Sequence, residues 1–309
     1  MDWYWIVLIC FGALALIALA VGYLTFRYAF VADRRVIGKI FRDREKDPSP
    51  LVRMRFATKA YMDALEREDW TQTASDGTKL AAWFFPHGGT NKVAVICHGW
   101  RSLPWWDFGR AFDIVYNAGY AVLAVCQRAQ GDSEGRYMTY GAKESGDLLG
   151  WIERLCDRFG GDVRIAIMGV SMGGATVLCA TGRELPDAVK CAVSDCSFTS
   201  AEDMFRTASR GGLIVARRIE EILMRLFAHV RYADASPIDA VKRSKTPTLF
   251  VHGAADDFIP PSMMSELYDA CAAPEKAKWL SPGALHAEAA MTNPDEYAEA
   301  VLPFLAKHL

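Results

Sequence analysis

From Trp3 to Phe26 the chain reads WYWIVLICFGALALIALAVGYLTF, 24 residues without a charge. This segment limits the fold most sharply, because it needs apolar surroundings along its whole length. As an α-helix it would be about 36 Å long, enough to cross a hydrocarbon core of roughly 30 Å. Aromatic rings stand at both ends, Trp3, Tyr4 and Trp5 at one and Tyr23, Phe26 and Tyr28 at the other, as rings do at the two membrane interfaces. A cleaved signal peptide needs a basic start and a short apolar core, whereas Asp2 leads here and the run is long. A buried core helix is rarely apolar on all sides over this length. One transmembrane helix over residues 3–26 is therefore expected.

A basic juxtamembrane linker is expected over residues 27–50. As far as Lys46, the basic residues Arg27, Arg34, Arg35, Lys39, Arg42, Arg44 and Lys46 face only Asp33, Asp43 and Glu45, a net of +4 over residues 27–46. Positive flanks stay on the cytoplasmic side. The expected topology is a single pass through the cell membrane, N-terminus outside and the bulk of the chain in the cytoplasm. The chain as a whole carries −2, with a pI near 6.3, which argues against a nucleic-acid partner. Hydrophobic residues at 51% exclude a disordered chain. The eight cysteines form no C-x-x-C and no zinc-spaced cluster with histidine, so no metal is expected.

Pro48-Ser49-Pro50 ends the linker, and one domain is expected over residues 51–309. An amphipathic helix is read over 51–69. Asp76-Gly77 between Thr71–Ala74 and Lys79–Phe85 signals a hairpin. Short apolar strands follow at Val93–Cys97, Ala121–Cys126, Arg164–Met168, Lys190–Ser194, Thr248–Val251 and Lys276–Leu280. Helical stretches separate most of them: Trp105–Asn117, Ala142–Arg158, Met172–Glu184, Ser262–Ala273 and Asp295–Lys307. That alternation predicts an α/β fold with a mostly parallel, doubly wound sheet and an antiparallel edge from the hairpin. Residues 199–245 break the rhythm with a helical pattern of their own, and are read as a small cap over the active site.

Gly169-Val170-Ser171-Met172-Gly173 is a G-x-S-x-G between a predicted strand and a helix of small residues. That setting is a nucleophile elbow: the glycines permit the tight turn, and the turn lifts Ser171 Oγ above the sheet. A serine hydroxyl needs a base, and the base and its orienting acid should follow in the order Ser, Asp/Glu, His. His286, in the loop after the last strand, has the placement of a base, while His252 reads as a hydrogen-bonded turn residue. Three carboxylates compete for the third place: Asp256, Asp257 and Asp195. The Met172 N–H is aimed at the developing oxyanion, and the Trp100 N–H, in the loop after an early strand, is the second expected donor. Trp105, Trp106 and Phe108 are candidates for an acyl pocket or for core.

The set HGW (98–100), GVSMGG (169–174), HGAADDFIP (252–260) and GALH (283–286) resembles the alpha/beta-hydrolase superfamily over about residues 70–309. Within it the chain is similar to small-capped bacterial esterases, monoacylglycerol-lipase-like and cinnamoyl-esterase-like hydrolases, and serine aminopeptidases. The resemblance implies the alpha/beta-hydrolase fold and places the acid at the fifth position of H-G-x-x-D-x-x-[VI]-P, here Asp256. CQRAQGDSEGR (126–136) resembles the family's D-x-R-x-H-G-x-S segment, with Cys126 and Gln130 replacing its Asp and His.

The expectation is a membrane-anchored serine hydrolase that cleaves a small-molecule acyl ester through a Ser171-His286-Asp256 triad, without cofactor or metal. A peptidase, aminopeptidase or acyl-thioesterase is the enzymatic alternative. A catalytically silent hydrolase fold serving as an interaction module is the other.

Overall fold

The computed structural model describes residues 2–209 and 214–309; residues 210–213 of the expected cap lie outside the described residues. Helix α1 (Trp3–Phe30) is uninterrupted. Residues 3–17 are exposed on every side. From Ala18 a stripe at helical spacing turns inward: Ala18, Val21, Gly22, Thr25, Phe26, Ala29 and Phe30. The boundary expected at residue 26 is thus displaced, because the last turns of α1 pack on the domain. The expected linker is also structured. Asp33 accepts hydrogen bonds from the Arg35 and Val36 N–H groups and caps helix α2 (Arg34–Arg44). Ser49 and Pro50 then start α3 (Pro50–Ala64), which stops five residues before its predicted end.

Eight strands form one sheet: β1 (Glu68–Thr73), β2 (Lys79–Phe85), β3 (Lys92–Cys97), β4 (Ala121–Cys126), β5 (Arg164–Val170), β6 (Val189–Asp195), β7 (Thr248–Gly253) and β8 (Lys276–Ser281). Their order is β1-β2-β4-β3-β5-β6-β7-β8. The hairpin β1–β2 is antiparallel and joins β4 antiparallel, and every other pairing is parallel. Gly77, at φ 83°, makes the hairpin turn.

The predicted helix over 105–117 is two helices, α4 (Pro104–Phe108) and α5 (Arg110–Asn117), parted at Gly109 with φ 44°. Helices α6 (Glu144–Phe159) and α7 (Met172–Thr181) follow, the latter stopping before its predicted end at Glu184. The cap region holds α8 (Ala201–Ala208), α9 (Ile214–Leu223), a single π turn over Met224–Ala228 and α10 (Pro237–Val241). The chain closes with α11 (Pro261–Ala270), α12 (Ala289–Thr292) and α13 (Pro294–His308).

Alternation along the strands feeds two cores. On β3, Val93, Val95 and Cys97 join Trp151, Leu155 and Val177 on one face, while Ala94 and Ile96 join Trp105, Phe112, Tyr297 and Leu305 on the other. A third cluster above the sheet joins Phe26 and Phe30 of α1 to Tyr140, Phe198, Met204, Met224 and Tyr232.

Candidate active site

Between β5 and α7 the backbone turns at Ser171 with φ 56° and ψ −118°. The turn is possible only because its neighbours lack side chains. A Cβ on Gly169 would lie 2.1 Å from the Gly173 carbonyl oxygen, and one on Gly173 would lie 1.8 Å from the Cys97 carbonyl oxygen. The strained serine is held by its N–H, which donates to the Asp195 carbonyl at 2.8 Å.

His286 Nε2 lies 2.8 Å from Ser171 Oγ, and its Nδ1 lies 2.7 Å from Asp256 Oδ2. Asp256 comes from the loop after β7, and His286 from the loop after β8. With Nδ1–H donating to the carboxylate, Nε2 is left to accept the serine proton. Asp256 is buried and fixed on both oxygens. Oδ1 accepts from the Phe258 and Ile259 N–H groups at 3.0 and 2.8 Å. His252 Nε2 lies 3.2 Å from Oδ2 and 2.9 Å from the Ile259 carbonyl. Burial raises the Asp256 carboxyl, but the hydrogen bonds from His252 and His286 outweigh it and hold the group well below the usual carboxylate range. Donor atoms of Cys196, Asp256 and His286 lie within 4.8 Å of one another. Both imidazole nitrogens of His286 are already engaged, Nδ1 by Asp256 and Nε2 by Ser171. Burial keeps the Cys196 thiol well above its usual range and so protonated.

The other two carboxylates stay outside the relay. Asp257 is exposed. Asp195 is buried at the end of β6, and its Oδ1 has no partner among the described residues. Burial raises the Asp195 carboxyl from 3.8 to about 6. A raised folded-state pKa means stability that is complete below the unfolded value near 3.8 and is lost as pH rises through 6. Asp195→Asn is therefore expected to stabilise the protein at pH 7–8, by up to about 3 kcal/mol, with no gain at pH 4. Thermal unfolding of both proteins at the two pH values checks this, and an equal gain at pH 4 would contradict it.

Of the two residues predicted to supply oxyanion donors, Met172 follows the serine directly and Trp100 lines two cavities together with it. Met172 is the first residue of α7, so its N–H has no partner within the helix. The loop carrying Trp100 is braced by residues to which the sequence reading gave no such task. Asp107 of α4 accepts from the Gly99 N–H at 2.5 Å. Gln130 Oε1 accepts from the Ser102 N–H at 3.2 Å, which gives this glutamine a task where the resembling family has histidine. His98 Nε2 accepts from the Gln127 N–H, so its Nδ1–H donates to the Gly99 carbonyl; burial lowers its pKa and keeps the ring neutral. Arg128, the family's arginine in that segment, pairs with both Asp147 oxygens at 2.6 Å.

Ser171 stands where two cavities meet. One, of about 330 Å³, is apolar and runs between Thr25, Tyr28 and Ala29 of α1 and, opposite them, Phe198 with Met204, Phe205 and Ala216 of the cap. The other, of about 390 Å³, is more polar, bounded by Arg44, Arg55, Asp107 and Glu288 beside Val52 and Trp106, with His286 at its edge. Of the aromatic trio suggested for an acyl pocket, Trp105 and Phe108 are core, and Trp106 lines the polar cavity.

A mostly parallel eight-stranded sheet, a serine on a strained strand–helix turn, and an aspartate and a histidine delivered by the loops after β7 and β8 define an alpha/beta hydrolase. The chain belongs to the prolyl oligopeptidase family, which it matches over residues 106–309. It is similar to YqkD of Bacillus subtilis, at 24% identity over 97% of this chain and 96% of that one. A Saccharomyces cerevisiae relative, described as an uncharacterized membrane protein, is 27% identical over 77% of this chain and 79% of its own. Among solved structures, an esterase of Pyrococcus furiosus superposes with a TM-score of 0.65 at 25% identity, covering 81% of this chain and 95% of that one.

Proposed function

We propose that this hydrolase is a membrane-anchored serine hydrolase that cleaves carboxylic esters through an acyl-enzyme. The relay Asp256–His286–Ser171, ending at the meeting point of an apolar and a polar cavity, carries the proposal. Ser171 Oγ attacks the ester carbonyl carbon while His286 Nε2 takes its proton, and Asp256 steadies the imidazolium. The Trp100 and Met172 N–H groups receive the oxyanion. Collapse breaks the carbon–oxygen bond of the alcohol, which leaves with the proton from His286. Water then attacks the acyl-enzyme, gives its proton to His286, and the acid departs as Ser171 is restored. Similarity to an archaeal esterase supports ester substrates. The family's peptidase name favours amides as the second reading.

A fluorophosphonate probe is expected to label the purified protein covalently, one adduct per chain, on Ser171. Absence of labelling on folded protein would instead favour a silent interaction module. p-Nitrophenyl esters are expected to be turned over in preference to aminoacyl amides; the reverse preference selects the peptidase reading.

The anchor is α1, which is long and apolar enough to cross a membrane. The similar yeast protein's description as a membrane protein supports this. The positive charges after the helix favour the cytoplasm for the catalytic domain. A reporter enzyme fused to the C-terminus should then be active only inside the cell, and activity confined to the outside would reverse the orientation.

A further inference from the structure

The apolar cavity beside Ser171 has an unusual wall: the C-terminal turns of the apolar helix itself. Thr25, Tyr28 and Ala29 line it. These turns are anchored to the catalytic loops by polar bonds to helix-end carbonyls that have no intrahelical partner. Trp100 Nε1 and the Tyr140 hydroxyl both donate to the Ala29 carbonyl, at 2.7 and 2.9 Å. Arg101 Nη2 donates to the Tyr28 carbonyl at 2.7 Å. Trp100 thus ties α1 to the oxyanion loop with its side chain.

The opposite wall comes from the cap, which lies against the same helix. A Cβ on Gly22 would sit 2.7 Å from Ile219, so the glycine allows α9 to approach α1 closely. Phe26 contacts Phe227 with ring centroids 6.2 Å apart. Around this contact the cap leaves Ile214, Val215, Ile222, Leu226 and Phe227 exposed, each by more than half of its surface. Large contiguous apolar exposure marks a contact surface. Here its occupant follows from continuity: the patch adjoins the point where α1 changes from exposed on every side to packed. Residues 3–17 precede that point, about 22 Å of helix, which is most of one hydrocarbon thickness. A bilayer that holds those residues meets the α9 patch at its surface.

From this continuity, and resting on the serine-hydrolase reading above, we infer that the substrate is a bilayer-resident long-chain acyl ester. Its acyl chain enters between α1 and α9 and occupies the cavity walled by Thr25, Tyr28, Ala29, Met204 and Phe205. Its polar alcohol portion occupies the cavity beside Arg44 and Arg55. Hydrolysis consumes one water and yields the fatty acid and the free alcohol. The anchor helix is then part of the substrate site as well as an attachment.

The full-length protein in phosphatidylcholine vesicles, given p-nitrophenyl palmitate and p-nitrophenyl acetate, tests this, because the leaving group is common to both. The ratio of kcat/KM for palmitate over acetate is expected to exceed tenfold. In Thr25→Trp, which fills the cavity from the anchor side, that ratio should fall by tenfold or more. Two displaced methylenes suffice for that, at about fourfold each. Leu24→Trp, on the exposed side of the same helix turn, should keep the wild-type ratio. Ala208→Trp, on the cap side, carries the same test if Thr25→Trp does not accumulate. Fluorophosphonate labelling and acetate turnover with a ratio unmoved by either tryptophan would overturn the lipid-site inference and leave the serine-hydrolase reading standing. Neither labelling nor turnover in the wild-type protein would overturn both.

Discussion

Ser171→Ala is expected to remove ester turnover on the scale of about 10⁶ in kcat, the cost of losing the serine nucleophile in a subtilisin-type protease. The hydroxyl's hydrogen-bond partner is His286 Nε2, at 2.8 Å, so its removal leaves the relay with nothing to activate. The fold should survive. Alanine inherits the same positive φ, and the Ser171 N–H bond to the Asp195 carbonyl belongs to the backbone. Unfolding free energy should change by no more than about 1 kcal/mol. Fluorophosphonate labelling should vanish together with turnover, while circular dichroism and melting stay close to wild type. An alanine variant that keeps near-wild-type turnover would falsify the assignment of the nucleophile.

Asp256→Asn is expected to cost about 10⁴ in kcat, the scale of that exchange in a serine protease. The reason lies in which atoms are already committed. Oδ1 receives two backbone N–H groups, from Phe258 and Ile259, so an asparagine must keep its carbonyl oxygen there. Its NH₂ then faces His286 Nδ1, which can only accept from it. The proton moves to Nε2, and the imidazole donates toward Ser171 instead of accepting. The NH₂ also meets His252 Nε2–H, which lies 3.2 Å from Oδ2. Asp256 therefore differs from Asp195 in the sign of its effect. Its depressed pKa contributes stability above the unfolded value near 3.9 that is lost as pH falls through the folded one. The substitution should lower the melting temperature at pH 7, where Asp195→Asn raises it. Kinetics on Asp256→Asn, Asp195→Asn and Asp257→Asn together check the assignment. A crippling effect of either of the last two beside a nearly silent Asp256→Asn would transfer the role.

The relay was legible in the chain because its chemistry is local. Gly169 and Gly173 bracket Ser171 at the spacing the turn needs, and the structure gives the reason as distances from the absent Cβ atoms to the Gly173 and Cys97 carbonyls. His286 stands in the loop after a strand, and β4 has its predicted limits because a run buried on both sides has sharp edges. Choosing among Asp256, Asp257 and Asp195 was harder. All three lie near strand ends, and only the resemblance ranked them. The discriminating facts are two backbone amides and a second histidine around Asp256, contacts from residues two to four positions away that depend on how the loop after β7 folds.

What the sequence determined by itself was the membrane-length helix, the alternating α/β order and the serine elbow. Each is set by short-range rules: an uncharged run, a strand–helix period, a turn only glycine tolerates. Only the tertiary structure decided that residues 34–44 are a capped helix and that Gly109 splits α4 from α5. It also decided that Asp107, Gln127 and Gln130 brace the oxyanion loop, and that Trp105 and Phe108 are core. Above all, it decided what the last turns of α1 do. Hydropathy places Thr25 at the end of the uncharged run and Tyr28 and Ala29 just beyond it. The bonds that make them a wall of the cavity beside Ser171 come from Trp100, Arg101 and Tyr140, 71 to 111 positions along the chain. No periodicity records a contact at that separation, because it exists only once the sheet has brought those loops to one edge.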